Sequence, residues 1–154
     1  MEEKRIYYIS VESTPENNGE IYITNFMNLC AFDFKANDAY IMVDKAVGVR
    51  ANIGVLSFGI YCDGLKDNYN FHAEQILKNS KLLDIVPATM LIRSVDNAVL
   101  SNAYFNISNQ LDNWRHISIN DLNNIHLSIV GLSVPTPIDF NMDIVIKIKL
   151  IKRS

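Results

Sequence analysis

Seven large apolar residues alternate with other positions late in the chain: Ile138, Phe140, Met142, Ile144, Ile146, Ile148 and Leu150. Between them stand Asp139, Asn141, Asp143, Lys147 and Lys149, with Val145 the exception. A period of two sorts these sets onto opposite faces of a pleated strand, whereas a helix would spread them around its circumference. At about 3.4 Å per residue, Ile138–Leu150 predicts a strand of roughly 44 Å, longer than most. Burying its apolar face contributes on the order of 10–20 kcal/mol before conformational entropy is charged. A surface equally wide must cover it.

The same pattern recurs upstream in shorter pieces. Arg5–Val11 and Glu20–Phe26 are strand-like around the turn Pro15-Glu-Asn-Asn-Gly19, and they predict a hairpin. Leu29–Phe34 is a short apolar run. Ala39–Asp44 predicts a strand that continues through Val47–Arg50 after a bulge at Gly48. Ile53–Cys62 is the most continuously apolar stretch and predicts a central strand. Phe71–Lys78 holds good helix formers, so at most one short helix is expected, near residues 71–79. Strands are predicted at Thr89–Arg93 after Pro87, at Ala98–Ile107 with Val99, Ala103, Phe105 and Ile107 on one face, at Trp114–Ile119, and at Ile125–Ile129. The last strand is expected to pair with Ile125–Ile129 across Val134–Pro137. Its basic end, Lys147–Arg153, is expected to project past the fold or pair with a neighbouring subunit.

Eight to ten strands at intervals of about 8–15 residues predict an all-β, antiparallel β-sandwich, and a jelly roll accommodates that number. The 154 residues suit a single domain spanning 1–154, and 49% hydrophobic content is enough for a full core. Charged residues are 20% and the net charge is −3, which argues against a broad nucleic-acid surface. No run of 18 apolar residues predicts a membrane span, and Met1–Ile6 lacks the apolar core of a secretory signal. Cys30 and Cys62 lie in apolar segments without metal-ligand spacing, and are read as two buried free thiols, with a disulfide as the alternative.

Candidate chemistry is sparse. His72, His116 and His126 form no His-x-x-x-His pair, and no nucleophile elbow or phosphate loop occurs. Asp139 and Asp143 share a strand face about 13 Å apart, too far for a glycosidase pair. The turn acids Asp63, Asp67, Asp96 and Asp121 lack calcium-loop spacing. No enzyme, metal or cofactor is therefore expected. Interface character concentrates in Trp114 and Arg115, in His126, and in the basic end Lys147, Lys149, Lys152 and Arg153. Tyr7, Tyr8 and Tyr22 form a second aromatic group on the expected first hairpin.

By strand count, size and the long last strand Ile138–Leu150, residues 5–151 resemble a small single jelly-roll capsid protein of a virus. The resemblance implies a structural subunit, a penton or minor capsid protein assembling through sandwich edges, loops and termini. Its partners would be copies of itself and other capsid proteins, and its location the virion assembled in the host cytoplasm. The N-terminus, Met1-Glu-Glu-Lys-Arg5, departs from the basic arm of many small RNA-virus coats, so genome packaging is not implied. The competing reading is a carbohydrate- or protein-binding β-sandwich module, which needs exposed coplanar aromatics.

Overall fold

The computed structural model of the chain describes residues 1–50, 57–66, 81–95, 98–109, 112–132 and 140–153. For residue 50 and for residues 88–95 and 98–103 it describes the backbone. The helix expected near residues 71–79 lies outside the described residues.

Nine strands are described: β1 (Glu2–Ser13), β2 (Glu20–Thr24), β3 (Asp38–Arg50), β4 (Ser57–Cys62), β5 (Leu82–Val95), β6 (Ala98–Ser108), β7 (Arg115–Ile117), β8 (Asn124–Gly131) and β9 (Met142–Arg153). Every pairing is antiparallel. One sheet runs β1-β9-β3-β6 and the other β2-β8-β4-β5, with β7 alongside β3. Successive strands of the opening half, β1 to β4, fall alternately in the two sheets, and the closing strands return beside them. That interleaving is the jelly-roll order. The two sheets pack face to face as an all-β sandwich, as the strand pattern predicts.

β5 belongs to both sheets. Ser57 stands opposite Pro87 in one, and Phe105 stands opposite Ala88 in the other. Proline has no N–H to give to a ladder, so it fits the point where the strand leaves one partner for the next. The predicted strand began after Pro87; the actual one starts at Leu82 and runs through it.

Alternation places the core. Met142, Ile144, Ile146, Ile148 and Leu150 are all at most 1% exposed, and they face Ile125, Leu127, Ile129, Phe58 and Ile60 from the other sheet. The strand occupies Met142–Arg153 rather than Ile138–Leu150; residues 133–139 lie outside the described residues. β9 does not pair with β8. It lies between β1 and β3, while β8 lies between β2 and β4 in the opposite sheet. The two apolar faces meet across the core instead of lying side by side. Alternation says which face is buried, but not which strand lies alongside.

The predicted hairpin of β1 and β2 is likewise corrected: β1 pairs with β9 and β2 with β8. The intervening turn carries the chain from one sheet to the other. Asn17 shapes it, accepting at Oδ1 from the N–H groups of Thr14 (3.0 Å) and Gly19 (3.1 Å). Asn18 and Gly19 both adopt positive φ.

A single helical turn, α1 (Phe26–Cys30), stands where the sequence predicts a strand end and an apolar run. Five residues carry too little periodicity to register as a helix. Tertiary contacts hold the turn: Asn123 Oδ1 accepts from Met27 N–H at 2.9 Å, and Phe26 is buried. Cys30 at its end is exposed and Cys62 buried, so only one of the two free thiols is where the sequence predicts. The bulge in β3 falls at Asp44, between Val43 and Lys45, and not at Gly48. Gly48 has another role. A Cβ there would lie 2.8 Å from the Phe140 ring and 3.0 Å from the Asn141 carbonyl oxygen.

Candidate functional site

The residues predicted at an interface divide among several places. Trp114, Lys147 and Lys149 come together on the outer face of the β1-β9-β3 sheet. Alternation along β9 points both lysines outward, Lys147 opposite Tyr8 of β1 and Met42 of β3, Lys149 opposite Ile6 of β1 and Tyr40 of β3. The Lys149 ammonium lies 4.6 Å from the Trp114 ring centre and 4.9 Å from that of Tyr40. The Lys147 ammonium lies 5.2 Å from Trp114 and 5.8 Å from Tyr8. His116 of β7 stacks on Tyr40 at 5.0 Å and lies 3.6 Å from Asp38. Desolvation under the rings, reinforced by the nearby Lys4 charge, holds the Lys149 ammonium below its ordinary pKa. Lys147 keeps carboxylate neighbours, Asp112 at 3.7 Å and Asp44 at 3.9 Å. The arrangement is a cation–aromatic ladder whose positive charges are already engaged within the chain.

Arg115 turns the opposite way. It is 6% exposed, and Nη1 donates to the Leu82 carbonyl at 2.5 Å. Lys152 and Arg153 sit at the far end of β9, opposite Glu3 and Glu2 of β1. Arg153 pairs with Asp38 and approaches Glu2 at 3.9 Å. The basic end therefore does not project. It is held between β1 and β3 because β9 is a central strand with neighbours on both sides.

His126 lies on the other outer face and organises a cluster the sequence reading missed. Register sets Tyr22 of β2 opposite His126 of β8, and Glu20 opposite Ser128. The Tyr22 and His126 rings stack at 4.6 Å, 5° from parallel. Nδ1 of His126 lies 2.8 Å from Asp63 Oδ2, and Nε2 meets Glu20 Oε2. Lys81 closes on Asp63 at 3.0 Å. A carboxylate oxygen accepts, so with one at each ring nitrogen the imidazole donates twice and is held as the cation. The Asp63 hydrogen bond, aided by Glu20 and opposed by partial burial, raises the His126 pKa. His126, then Lys81, hold the Asp63 carboxyl below its usual range.

Ser128 completes an acid–imidazole–hydroxyl arrangement, with Oγ 3.4 Å from Nε2. It is not poised as a nucleophile. Glu20 already occupies Nε2, and the hydroxyl donates to Glu20 at 3.0 Å, so no free imidazole nitrogen faces it to take a proton. The cluster is instead a charged clamp tying β2 to β8 and to the turn after β4. Its members lie far apart in sequence, and the β2–β8 and β4–β8 pairings unite them. Among the described residues no group of three or more His, Cys, Asp and Glu is arranged to hold a metal ion.

The tyrosines do not form one platform. Tyr7 turns inward against Phe26 at 5.3 Å, while Tyr8 and Tyr22 are exposed on opposite outer faces. Among the described residues, the most exposed large apolar side chains after Met1 are Leu29 (77%) and Phe32 (80%), on α1 and the turn that follows it. This segment is anchored to β1 by an Arg5–Asp33 ion pair at 3.1 Å and by Arg5 over the Phe34 ring.

No described helix is long and apolar enough to cross a membrane. Compared with known proteins, the chain matches no family model and no curated protein.

Proposed function

We propose that this protein is a structural, non-catalytic subunit of a viral capsid, a penton or minor capsid protein that assembles through the edges and loops of its sandwich. The observation that carries the reading is the apolar pair Leu29 and Phe32, displayed on a short anchored segment of a jelly roll. Leaving two large apolar side chains in water forgoes about 1.5–3 kcal/mol each, which a subunit recovers when a neighbour covers them. The clusters of polar side chains support the same reading. Each is satisfied internally, as a clamp or a ladder, so their chemistry is directed to holding sheets together. A carbohydrate-binding role is supported less well, because Tyr8 and Tyr22 face opposite ways and Trp114 is half-covered by two lysines.

The test is the size of the purified protein over a wide concentration range, by sedimentation and electron microscopy. Defined oligomers or closed shells are expected, together with recovery of the chain in purified virus particles. A monomer at every concentration, absent from particles, overturns the proposal.

A further inference from the structure

We infer that β1 joins two copies of the chain edge to edge, in a single antiparallel register centred on Tyr8. The inference rests on the assembly reading above and names the partner at one edge as a second copy.

β1 is twelve residues long and is the terminal strand of its sheet. β9 takes one side of it, and among the described residues no strand takes the other. A free edge of that length is a ready template for another strand. Its inward side chains also show what is missing. Tyr7, Ile9 and Val11 pack on the core but are only partly buried, whereas the inward residues of central β9 are sealed. Ile6 and Tyr8 on the outer side are 48% and 63% exposed.

Symmetry limits the registers. Two copies paired antiparallel about a two-fold axis keep their core faces on the same side of the joint sheet. Directly opposed residues must then share a face, so they are both even-numbered or both odd-numbered. Centring on Tyr7 sets Glu2 against the second copy's Glu12, acid on acid. Centring on Ile9 leaves the Glu12 carboxylate against Ile6, and centring on Ile6 leaves both lysines against Tyr8. Centring on Tyr8 sets Lys4 against Glu12 twice, once at each end, and Tyr7 against Ile9 over the half-covered core. It is the one register of the four in which opposite charges meet, and it pairs Glu3 through Ser13 of each strand. The exposed Leu29 and Phe32 belong to the segment tied to this same edge through Arg5 and Asp33, so apolar surface and free backbone adjoin.

Charge reversal and cross-linking test the register together. Lys4 and Glu12 are exposed, so Lys4→Glu and Glu12→Lys leave the melting temperature unchanged. Each alone should abolish the two-fold contact in sedimentation, and the double variant should restore it. In a Cys30→Ser background, Tyr8→Cys should form a disulfide-linked dimer on mild oxidation. Opposed Cα atoms then lie about 4.5–5.5 Å apart, within disulfide reach. Ile6→Cys should not link, since its symmetry mate lies about 13 Å away. Assembly that forms normally in both single charge variants, with no link through position 8, overturns the edge contact and leaves the capsid reading standing. A wild-type chain that is monomeric throughout and unlinked through position 8 overturns both.

Discussion

At the scale of the residue, the molecule places its ionisable groups so that pH acts on one sheet's outer face. The His126 imidazolium has a folded pKa above its ordinary 6.5. Its contribution to stability is therefore full below that value and is lost as pH rises through the folded pKa. Asp63 has a folded pKa below its ordinary 3.8, so its contribution is full above that value and is lost as pH falls through the folded one. The clamp is strongest between about pH 4 and 6.5. His126→Gln should cost about 1 kcal/mol at pH 6 and less as pH rises through the folded pKa, because the wild type then loses the charge as well. Melting temperatures of both proteins across this range should converge on the alkaline side. The two cysteines provide a second residue-level contrast. Burial pushes the Cys62 thiol up to about 12, while Cys30 sits in solvent on α1. A thiol reagent at neutral pH should modify Cys30 in the native protein and reach Cys62 only after unfolding, as mass spectrometry of the labelled peptides would record.

At the scale of the element, faces were legible and neighbours were not. The apolar positions of β9 and β8 lie inward as their alternation predicts, because burial acts on each strand separately. Ile146→Asp should accordingly set an unpaired charge in the core, cost several kcal/mol and unfold the chain, read by circular dichroism. Which strand lies beside which depends on where connections cross between sheets, and the β1/β2 and β8/β9 assignments failed on that point. The β3 bulge shows the same limit. Gly48 invites a bulge by its freedom, yet the irregularity is at Asp44, where Asn109 meets the displaced carbonyls. Its N–H donates to Asp44 O at 2.8 Å and its Nδ2 to Val43 O at 2.6 Å. Nothing near Asp44 in the sequence points to a residue 65 positions on. Asn109→Ala removes the side-chain donor and should cost about 1–3 kcal/mol in denaturant unfolding, with the slope unchanged.

At the scale of the whole molecule, the distribution of satisfied and unsatisfied surface separates holding the fold from meeting a neighbour. The basic end of β9 looked like a contact region because four cations cluster in the sequence. In the fold, three of these cations have aromatic or carboxylate partners nearby, and Lys152 lies opposite Glu3 in the β1–β9 ladder. Trp114, another of the expected contacts, covers Lys147 and Lys149 of its own chain. The His126 clamp was not legible at all, since Glu20, Asp63 and His126 are brought together only by strand order. Among the described residues, Leu29 and Phe32 are the most exposed large apolar side chains after Met1, and they lie on the segment tied to β1. Neither belongs to the buried core, so replacing both with serine should leave thermal unfolding within about 0.5 kcal/mol of wild type. If assembly draws on this surface, the same double variant should form smaller species in sedimentation at concentrations where the wild type associates. Folding and association would then respond to different residues, the one to the sealed apolar faces of β8 and β9, the other to side chains left in solvent.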